Sequence, residues 1–235
     1  MEKNNAAPKH IGIVLDGNRR FAKRLMKEPW KGHEFGAEKV EKLLSWCKEL
    51  GIKELTLYAF SMQNFSRPKQ EFDYLMKLFL EFFEKAKNNK TIHDNKIRIN
   101  FIGRIELFPK EVYSKMLELT EATKDYSDYL VNFAMAYGGR EEIVDAIKKI
   151  GRKIEAGEIT DAEIDEELVN KNIYMKDEPD FIIRTGGDHR TSNFLIWQSW
   201  YSEWFFLEKT WPEFEKEDLI ACMSEFMQRE RRFGK

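Results

Sequence analysis

The sequence contains no run of about 20 consecutive apolar residues, which is the length that a membrane-spanning helix needs. The segment before Pro8 is short and polar, so it lacks the apolar stretch of a secretory signal peptide. Only two cysteines are present, Cys47 and Cys222, and both fall on the apolar stripes of predicted helices, which predicts buried thiols rather than a disulfide. Together these absences predict a cytoplasmic protein that does not span a membrane.

An excess of charge of one sign is also missing, because 39 Lys and Arg residues nearly balance 41 Asp and Glu residues, for a net charge of −2. A chain with this balance has no overall attraction to nucleic acid, and any site for an anion must be built locally. Internal repeats, low-complexity segments and linkers are absent as well. With 235 residues, the chain is therefore predicted to form a single domain over residues 1–235.

Short apolar runs alternate with amphipathic segments of about 15 residues, which predicts an α/β fold with a mostly parallel sheet of about six strands flanked by helices. The predicted strands are a first one from His10, then Glu54–Phe60, Ile97–Ile102, Tyr129–Ala136, Phe181–Arg184 and Glu203–Phe206. The predicted helices are Gly36–Leu50, Lys69–Lys87, Lys110–Thr123, Glu141–Ala156, a short one opened by the capping box Thr160–Glu163, and Lys216–Arg231. Ligands of such folds bind at the carboxyl ends of the strands.

The first candidate site is the turn after the first strand, Asp16-Gly17-Asn18-Arg19-Arg20. Asp16 is predicted at the strand tip, where a carboxylate can hold a divalent cation, and the two arginines follow within one helical turn. Backbone amides and guanidinium groups could then converge on a diphosphate. The alternative is a plain β-turn in which Asp16 serves as a local cap.

The second candidate is the stretch 184–203, in which Arg184 and Arg190 flank a Gly-Gly pair and Ser192 follows the second arginine. A loop of this composition can fold its N–H and guanidinium groups around a phosphate. Glu203 returns a carboxylate at the next strand. Taken alone, the stretch predicts a phosphate clamp and no more.

One predicted helix is more apolar than a surface helix requires. Between Glu71 and Ala86, the side chains of Leu78, Leu80 and Phe82 widen the apolar face beyond the ~100° stripe that packing on a sheet needs. The helix could be sandwiched between the sheet and a neighbour, or lie at a dimer interface. Alternatively, it walls an apolar tunnel beside the sheet.

Five motifs, in order along the chain, carry a resemblance to a known family. They are Asp16-Gly17-Asn18-x-Arg20, Gly32-His33-x-x-Gly36, Tyr58-Ala59-Phe60-Ser61-x-x-Asn64-x-x-Arg67, Tyr137-Gly138-Gly139-Arg140 and Arg184-Thr-Gly-Gly-x-x-Arg190-x-Ser192-Asn193-Phe. With these motifs the chain resembles the cis-prenyltransferases, and most of all the homodimeric undecaprenyl diphosphate synthases. The Asp-Gly-Asn-Arg-Arg turn and the Trp-rich stretch after Gln198 resemble the archaeal members.

The resemblance implies a Mg²⁺-dependent reaction in which isopentenyl diphosphate is added to an allylic diphosphate, farnesyl or geranylgeranyl diphosphate. Each addition would give a cis double bond, and the product would be a polyprenyl diphosphate, the precursor of a glycosyl carrier lipid. A homodimer and a peripheral membrane contact for product release are implied as well. Of the interpretations of the apolar helix, the resemblance favours the one in which the helix walls a tunnel for the growing prenyl chain.

The resemblance also assigns roles to residues. The catalytic residues would be Asp16, Asn18, His33, Ser61 and Asn64. Substrate would be bound by Gly17, Asn18, Arg19, Arg20, His33, Ser61, Asn64, Phe65, Arg67, Arg184, Arg190, Ser192 and Arg232. Arg20 would contact the leaving diphosphate, whereas Arg184, Arg190 and Ser192 would hold that of isopentenyl diphosphate. Mg²⁺ would be held by Asp16 and Glu203. The acceptor of the abstracted proton stays open.

Two departures from the family pattern concern substrate affinity. Pro29 stands where bacterial members usually carry an arginine that binds the allylic diphosphate, and Phe65 replaces a common tryptophan. The Asp-Asp-x-x-Asp motif of the trans-prenyltransferases is absent, which disfavours that unrelated class. Two alternatives to chain elongation stay open, namely a short-chain or non-elongating homologue that uses another acceptor, and a non-catalytic partner subunit. The retained Asp16 and arginine clamp argue against the second alternative.

Overall fold

Six strands form one sheet in the computed structural model of the chain, which describes residues 7–229. The strands are β1 (His10–Val14), β2 (Glu54–Ser61), β3 (Ile97–Ile102), β4 (Tyr129–Tyr137), β5 (Phe181–Arg184) and β6 (Glu203–Phe206). Their order across the sheet is β3-β4-β2-β1-β5-β6, and each described pairing is parallel. The predicted parallel α/β sheet is therefore confirmed, and β1 lies near its centre.

Helices cover both faces of the sheet, as expected for parallel strands. They are α1 (Asn18–Arg24), α2 (Gly32–Glu49), α3 (Lys69–Lys87), α4 (Lys90–Asp94), α5 (Lys110–Thr123), α6 (Gly139–Glu155), α7 (Glu166–Asn170) and α8 (Lys216–Gln228). Within the described part of the chain, no helix combines the length and the apolar character needed to cross a membrane. Cys47 and Cys222 are buried free thiols, as predicted.

Side-chain alternation along β1 divides the core into two layers. Ile11 and Ile13 point into the larger cluster, which also contains residues of α2, α3, α5 and α8. Val14 belongs to the smaller cluster on the opposite face, which includes Phe194 and Leu195 of the loop after β5. Because both faces of a central parallel strand are buried, its sequence reads as an uninterrupted apolar run.

The predicted element bounds differ from the structure mainly at close contacts and caps. Helix α2 begins at Gly32 rather than at the predicted Gly36. Glycine permits this start so close to α1, because a Cβ at position 32 would lie 1.9 Å from the backbone oxygen of Asn18. Helix α4 was not predicted, although Asn89 caps it by accepting a hydrogen bond from the Thr91 amide. The capping box at Thr160 opens a short 3₁₀ turn instead of an α-helix.

Candidate active site

The carboxyl ends of β1, β2 and β5 meet at one edge of the sheet. Val14 pairs with Tyr58 of β2 on one side and with Arg184 of β5 on the other. The turn after β1 therefore lies beside the loop after β5, as the sequence predicted for a parallel sheet. This register brings Asp16 and Arg184 together.

The backbone of Asp16 is held in place by hydrogen bonds with two other segments of the chain. Its amide donates to the hydroxyl of Thr185 at 3.1 Å, and its carbonyl accepts from the same hydroxyl at 2.9 Å and from the amide of Trp211 at 2.8 Å. Gly17 follows with a φ of +96°, and a Cβ there would lie 2.7 Å from the side chain of Thr210. The turn therefore needs glycine at this position, and the Asp16 side chain is left about one-third exposed at the edge.

Arg184 is the buried cation of the site, with its side chain only 4% exposed. Its Nη2 donates to Oδ2 of Asp16 at 2.8 Å, and its Nη1 donates to the hydroxyl of Ser192 at 2.7 Å. Its Nε is buried without a hydrogen-bond partner among the described residues. A buried donor without a partner is unfavourable, and an anionic ligand that reached this N–H would satisfy it.

Arg20 and Arg190 lie on opposite sides of one carboxylate. Arg20 donates to Oδ2 of Asp188 at 3.1 Å and to the carbonyl of Gly186, whereas Arg190 donates to Oδ1 of Asp188 at 2.9 Å. Both arginine side chains are about half exposed or more. Asp188 therefore links the two arginines that the sequence assigned to different diphosphates.

The Gly32-His33-x-x-Gly36 motif fits α2 tightly against the start of α1. A Cβ on Gly36 would lie 2.4 Å from Oδ1 of Asn18, and the Gly36 carbonyl accepts from the indole N–H of Trp211 at 2.8 Å. Asn18 donates through Nδ2 to the carbonyl of Leu15 at 2.9 Å, while its buried Oδ1 has no partner among the described residues. This packing orients Asn18 toward the site.

His33 belongs to a cluster with Arg67, Glu71 and Arg19. Arg67 donates from Nη1 to Glu71 at 2.8 Å and contacts Nε2 of His33 at 3.2 Å, while Arg19 approaches the second Glu71 oxygen at 3.8 Å. Because a guanidinium only donates, Nε2 of His33 accepts and the ring proton sits on Nδ1. Burial lowers the pKa of His33; the Glu71 carboxylate, 3.6 Å from Nε2, opposes this shift, and Arg67 and Arg19 add to it. His33 is therefore a hydrogen-bonding member of a buried charged cluster.

Ser61 and Asn64 form a reciprocal cap on the 3₁₀ turn Met62–Ser66. The Ser61 amide donates to Oδ1 of Asn64 at 2.9 Å, and the Ser61 hydroxyl accepts from the Asn64 amide. The cap aims both side chains at the same edge of the sheet as Asp16. Both predicted site residues therefore line the cavity described below.

An apolar cavity of about 590 Å³ runs from this edge toward the interior. Asp16, Asn18, His33, Arg67 and Arg184 lie at its polar end. The apolar walls come from α2, α3 and the sheet, and they include Val40, Leu75, Leu78, Phe79, Phe82, Phe83, Phe133 and Met135. A cavity with charged groups at one end and apolar walls along its length suits an amphiphile with an anionic head.

Similarity to known proteins decides the family. Residues 14–234 match the model of a protein family described as "Putative undecaprenyl diphosphate synthase". The chain belongs to this cis-prenyltransferase family. It is 50% identical to a tritrans,polycis-undecaprenyl-diphosphate synthase (geranylgeranyl-diphosphate specific) of Pyrococcus horikoshii, over 99% of this chain and 89% of that protein.

Solved structures agree with the assignment. The cis-prenyltransferase superposes on lavandulyl diphosphate synthase from Lavandula x intermedia in complex with dimethylallyl diphosphate with a TM-score of 0.93, at 32% identity over 97% of this chain and 99% of that one. A probable undecaprenyl diphosphate synthase from Campylobacter jejuni superposes with a TM-score of 0.81, at 33% identity over 98% and 100% of the two chains. The family resemblance seen in the sequence is confirmed.

Two predicted site residues of the cis-prenyltransferase, Glu203 and Phe65, contact other parts of the chain instead of the cavity. Glu203 begins β6 opposite Phe181, at the amino end of the strand, and pairs with Arg229, so one chain does not place it beside Asp16. Phe65 packs among Phe60, Phe72 and Phe108 instead of lining the cavity. Arg232 lies outside the described residues, as does the predicted end of the last helix at Arg231.

Three residues that position the site were missed from the sequence. Thr185 and Trp211 hold the Asp16 turn, and Asp188 links the two exposed arginines. Thr185 and Asp188 lie within the predicted phosphate clamp, so their position in that stretch could have indicated that they belong to the site. Trp211 carried no local signal, because its contact with Asp16 depends on the long-range path of the chain.

Proposed function

We propose that this cis-prenyltransferase condenses isopentenyl diphosphate with geranylgeranyl diphosphate to give an undecaprenyl-type diphosphate with cis double bonds in the added units. The observation that supports this most is the cavity, which joins a cluster of arginines to a long apolar pocket. The substrate choice follows the Pyrococcus horikoshii relative, whose name specifies geranylgeranyl diphosphate. The chemistry breaks the allylic C–O bond, joins that carbon to the terminal alkene carbon of isopentenyl diphosphate, and releases diphosphate and a proton.

The leaving diphosphate would bind at the Asp16–Arg20 turn. The first turn of α1 presents backbone N–H groups there, and Arg19 and Arg20 add positive charge, while the Gly17 amide donates to Oδ1 of Asp16 at 2.6 Å. Isopentenyl diphosphate would bind at Arg184, Arg190 and Ser192, where it could accept a hydrogen bond from the unpaired Nε of Arg184. The two diphosphates would thus lie on either side of Asp16, with the allylic tail in the apolar cavity.

Mg²⁺ would be held by Asp16 together with diphosphate oxygens. No group of three or more His, Cys, Asp or Glu side chains within residues 7–229 forms a metal cage. A single exposed carboxylate nevertheless fits this cation, since Mg²⁺ is commonly bound through one or two carboxylates plus substrate phosphates. Bound there, it would neutralise charge on the departing diphosphate.

The contacts of His33 argue against it as the proton acceptor. Its Nδ1 carries a proton and its Nε2 accepts from Arg67, so neither ring nitrogen is a free base. We assign it instead to the orientation of Arg67 and, through its Nδ1–H, to hydrogen bonding at the polar end of the cavity. Ser61 and Asn64 would line the reaction centre beside it.

A homodimer is part of the proposal, and an exposed apolar surface supports it. Val144 and Ile147 lie exposed on α6, and a Cβ on Gly139, the first residue of that helix, would contact Ile196. Ile196 is itself 41% exposed, and Trp200 nearby in sequence is 66% exposed. Exposed apolar side chains on α6 and on the loop after β5 suit contact with a second copy of the chain.

The function is tested with radiolabelled isopentenyl diphosphate and a panel of allylic diphosphates, with the products sized after dephosphorylation. We expect Mg²⁺-dependent elongation, with geranylgeranyl diphosphate preferred over farnesyl and geranyl diphosphate. A single-condensation product would indicate a short-chain enzyme. No incorporation with any allylic diphosphate would overturn the proposal and favour a partner subunit.

A further inference from the structure

The loop after β5 contains three non-glycine residues with a left-handed backbone within four positions. Ser192 has a φ of +50°, Asn193 has a φ of +67° and Leu195 has a φ of +44°. Most L side chains are strained at positive φ, although asparagine tolerates it better than others. Such strain persists only where the surrounding structure holds the backbone in place, and it is common at ligand-binding sites. The contacts that hold this loop are therefore part of how the site is built.

Asn193 holds the loop against the start of α6. Its carbonyl accepts from the amide of Gly139 at 2.7 Å, and its Oδ1 accepts from the amide of Arg140 at 2.8 Å. Gly138, which precedes α6, supplies no side-chain cap of its own. Asn193 therefore caps a helix whose second residue lies 53 residues earlier in the chain, and it pairs two amides that would otherwise lack a partner in the helix.

Glu141 fixes the orientation of the Asn193 side chain. Its Oε2 accepts from Nδ2 of Asn193 at 2.8 Å. Because a carboxylate accepts and a backbone amide donates, the side-chain amide of Asn193 has only one orientation that satisfies both neighbours. A Cβ on Gly138 would lie 2.1 Å from Oε2 of Glu141 and 2.6 Å from Nδ2 of Asn193. The first glycine of the Tyr137-Gly138-Gly139-Arg140 motif therefore leaves the space that this pair occupies.

The loop that Asn193 anchors also sets the surroundings of Arg184. The hydroxyl of Ser192 accepts from Nη1 of Arg184 at 2.7 Å, and the carbonyl of Arg190 accepts from the same Nη1. A planar guanidinium takes its orientation from the acceptors around it. A shift of the loop would therefore move Ser192 and turn the buried head of Arg184.

We propose that Glu141, acting through Asn193, is a positioning residue for the anion site formed by Arg184, Arg190 and Ser192. Asn193 borders the cavity, whereas Glu141 does not. The inference rests on the proposed function, in which this site holds isopentenyl diphosphate.

The charge of Glu141 makes the proposal separable from a simple electrostatic effect. A carboxylate beside a site for a diphosphate repels that ligand, so its removal should by charge alone strengthen binding. Loss of the hydrogen bond to Asn193 should instead weaken binding, because the loop is no longer held. The two effects have opposite signs.

The test compares two variants that remove the same charge at position 141. Glu141→Gln keeps an oxygen that can accept from Nδ2 of Asn193, whereas Glu141→Ala does not. We expect Glu141→Ala to raise KM for isopentenyl diphosphate about tenfold, as the loss of one hydrogen bond to a charged group typically does, with KM for geranylgeranyl diphosphate unchanged. Glu141→Gln should keep both constants within about twofold of the unmodified protein. Equal constants in the two variants, or a lower KM for isopentenyl diphosphate in both, would overturn the proposal.

A reversed pair of side chains gives a second test. Asn193→Asp keeps a side chain that tolerates positive φ and an oxygen for the amide of Arg140, but it places a second carboxylate against Glu141. KM for isopentenyl diphosphate should rise. Adding Glu141→Gln to this variant restores one donor and one acceptor, and the pair again carries a single negative charge. We expect most of the loss to be recovered, and no recovery in a folded double variant would overturn the proposal.

A helix cap elsewhere in the chain serves as the control for stability. Asp165 caps α7 by accepting from the amide of Leu168 at 2.7 Å. Asp165→Ala should lower the melting temperature and leave both KM values unchanged. An equal rise in KM for isopentenyl diphosphate in Asp165→Ala and Glu141→Ala would reduce the role of Glu141 to stability and overturn the proposal. A loss of dimer in Glu141→Ala alone, seen by sedimentation, would assign its effect to the subunit contact and overturn it as well.

Calorimetric binding of isopentenyl diphosphate without an allylic substrate separates this proposal from the proposed function. If the unmodified protein shows no turnover, yet Glu141→Ala weakens this binding and Glu141→Gln does not, the proposed function fails and the positioning role stands. If turnover is normal and the two variants bind isopentenyl diphosphate equally well, the positioning role fails alone.

Discussion

Asp16 and Arg184 are 168 residues apart in the sequence, and their side chains lie 2.8 Å apart in the structure. The contact exists because β1 and β5 are neighbours in the sheet and end at the same edge. It joins the assigned metal ligand of one motif to the buried guanidinium of another. The site is therefore built from two loops that only the sheet brings together.

Removal of the Asp16 charge should reduce turnover by about 10²–10³-fold, as the loss of one electrostatic group at a transition state typically does. Asp16→Asn keeps the shape of the side chain and an oxygen for Arg184, so the fold should survive. The measurement is kcat at saturating Mg²⁺, with circular dichroism melting as the control for folding. Near-normal turnover would mean that Asp16 is not the metal ligand.

The two diphosphate sites should respond to different arginines. Arg190→Ala should raise KM for isopentenyl diphosphate more than KM for the allylic substrate, and Arg20→Ala should do the reverse. Because Asp188 bonds to both arginines, Asp188→Asn should disturb both constants. Equal effects of the two arginine variants on both substrates would show that the sites are wrongly divided.

Product length should depend on α3 residues that line the cavity. Leu78 and Phe82 line it, whereas Leu80 faces an outer groove toward α5. Leu78→Ala and Phe82→Ala should therefore lengthen the products, and Leu80→Ala is the matched control that should leave them unchanged. The products are sized by thin-layer chromatography after dephosphorylation. Lengthening in Leu80→Ala, or none in the other two, would contradict the tunnel.

The amino end of the sheet should show two opposed pH effects on stability. Burial lowers the pKa of His10 to about 4, and burial, with Asp177, raises the pKa of Glu54 to about 7; the two side chains lie 3.7 Å apart. Between pH 6.5 and 4, unfolded His10 binds a proton that the folded protein excludes, so acid destabilises. Between pH 7 and 4.5, folded Glu54 holds a proton that the unfolded chain releases, so acid stabilises.

These opposed effects should nearly cancel in the unmodified protein and separate in single variants. As the pH falls from 7 to 4.5, Glu54→Gln should lose about 3 kcal/mol of unfolding free energy relative to the unmodified protein. Over the same range, His10→Gln should gain about the same amount relative to the unmodified protein. Urea unfolding at pH 7, 5.5 and 4.5 measures both. Parallel pH dependence in the two variants would contradict the burial of one of these groups.

A trans contribution of Arg232 should appear as complementation between two inactive variants. Arg232→Ala combined with deletion of residues 233–235 should weaken the use of isopentenyl diphosphate, because the family resemblance assigns Arg232 to substrate binding. Mixed with Asp16→Ala, it should recover activity, because a mixed dimer contains one intact site. Sedimentation establishes the dimer, and Trp200→Asp should weaken it. A monomer, or no recovery despite subunit exchange, would leave Arg232 as a surface charge.

The sequence by itself determined the parallel α/β class, most element bounds and the polar residues at the carboxyl ends of the strands. These follow from local patterns: α3, α5, β3, β5 and β6 have the predicted bounds, because apolar periodicity and turn residues act over neighbouring positions. The family motifs likewise identified Asp16 and Arg184 before any contact between them was known.

The tertiary structure decided which of these residues share a site. Strand order places β1 between β2 and β5, which makes Asp16 and Arg184 partners, and it sends Glu203 to the other end of the sheet, where Arg229 pairs with it. The hydrogen bond from the Trp211 amide to the Asp16 carbonyl could not be predicted from local patterns for the same reason. Periodicity states which face of an element is buried, but contacts across more than a hundred residues depend on how the strands are ordered and in which register they pair.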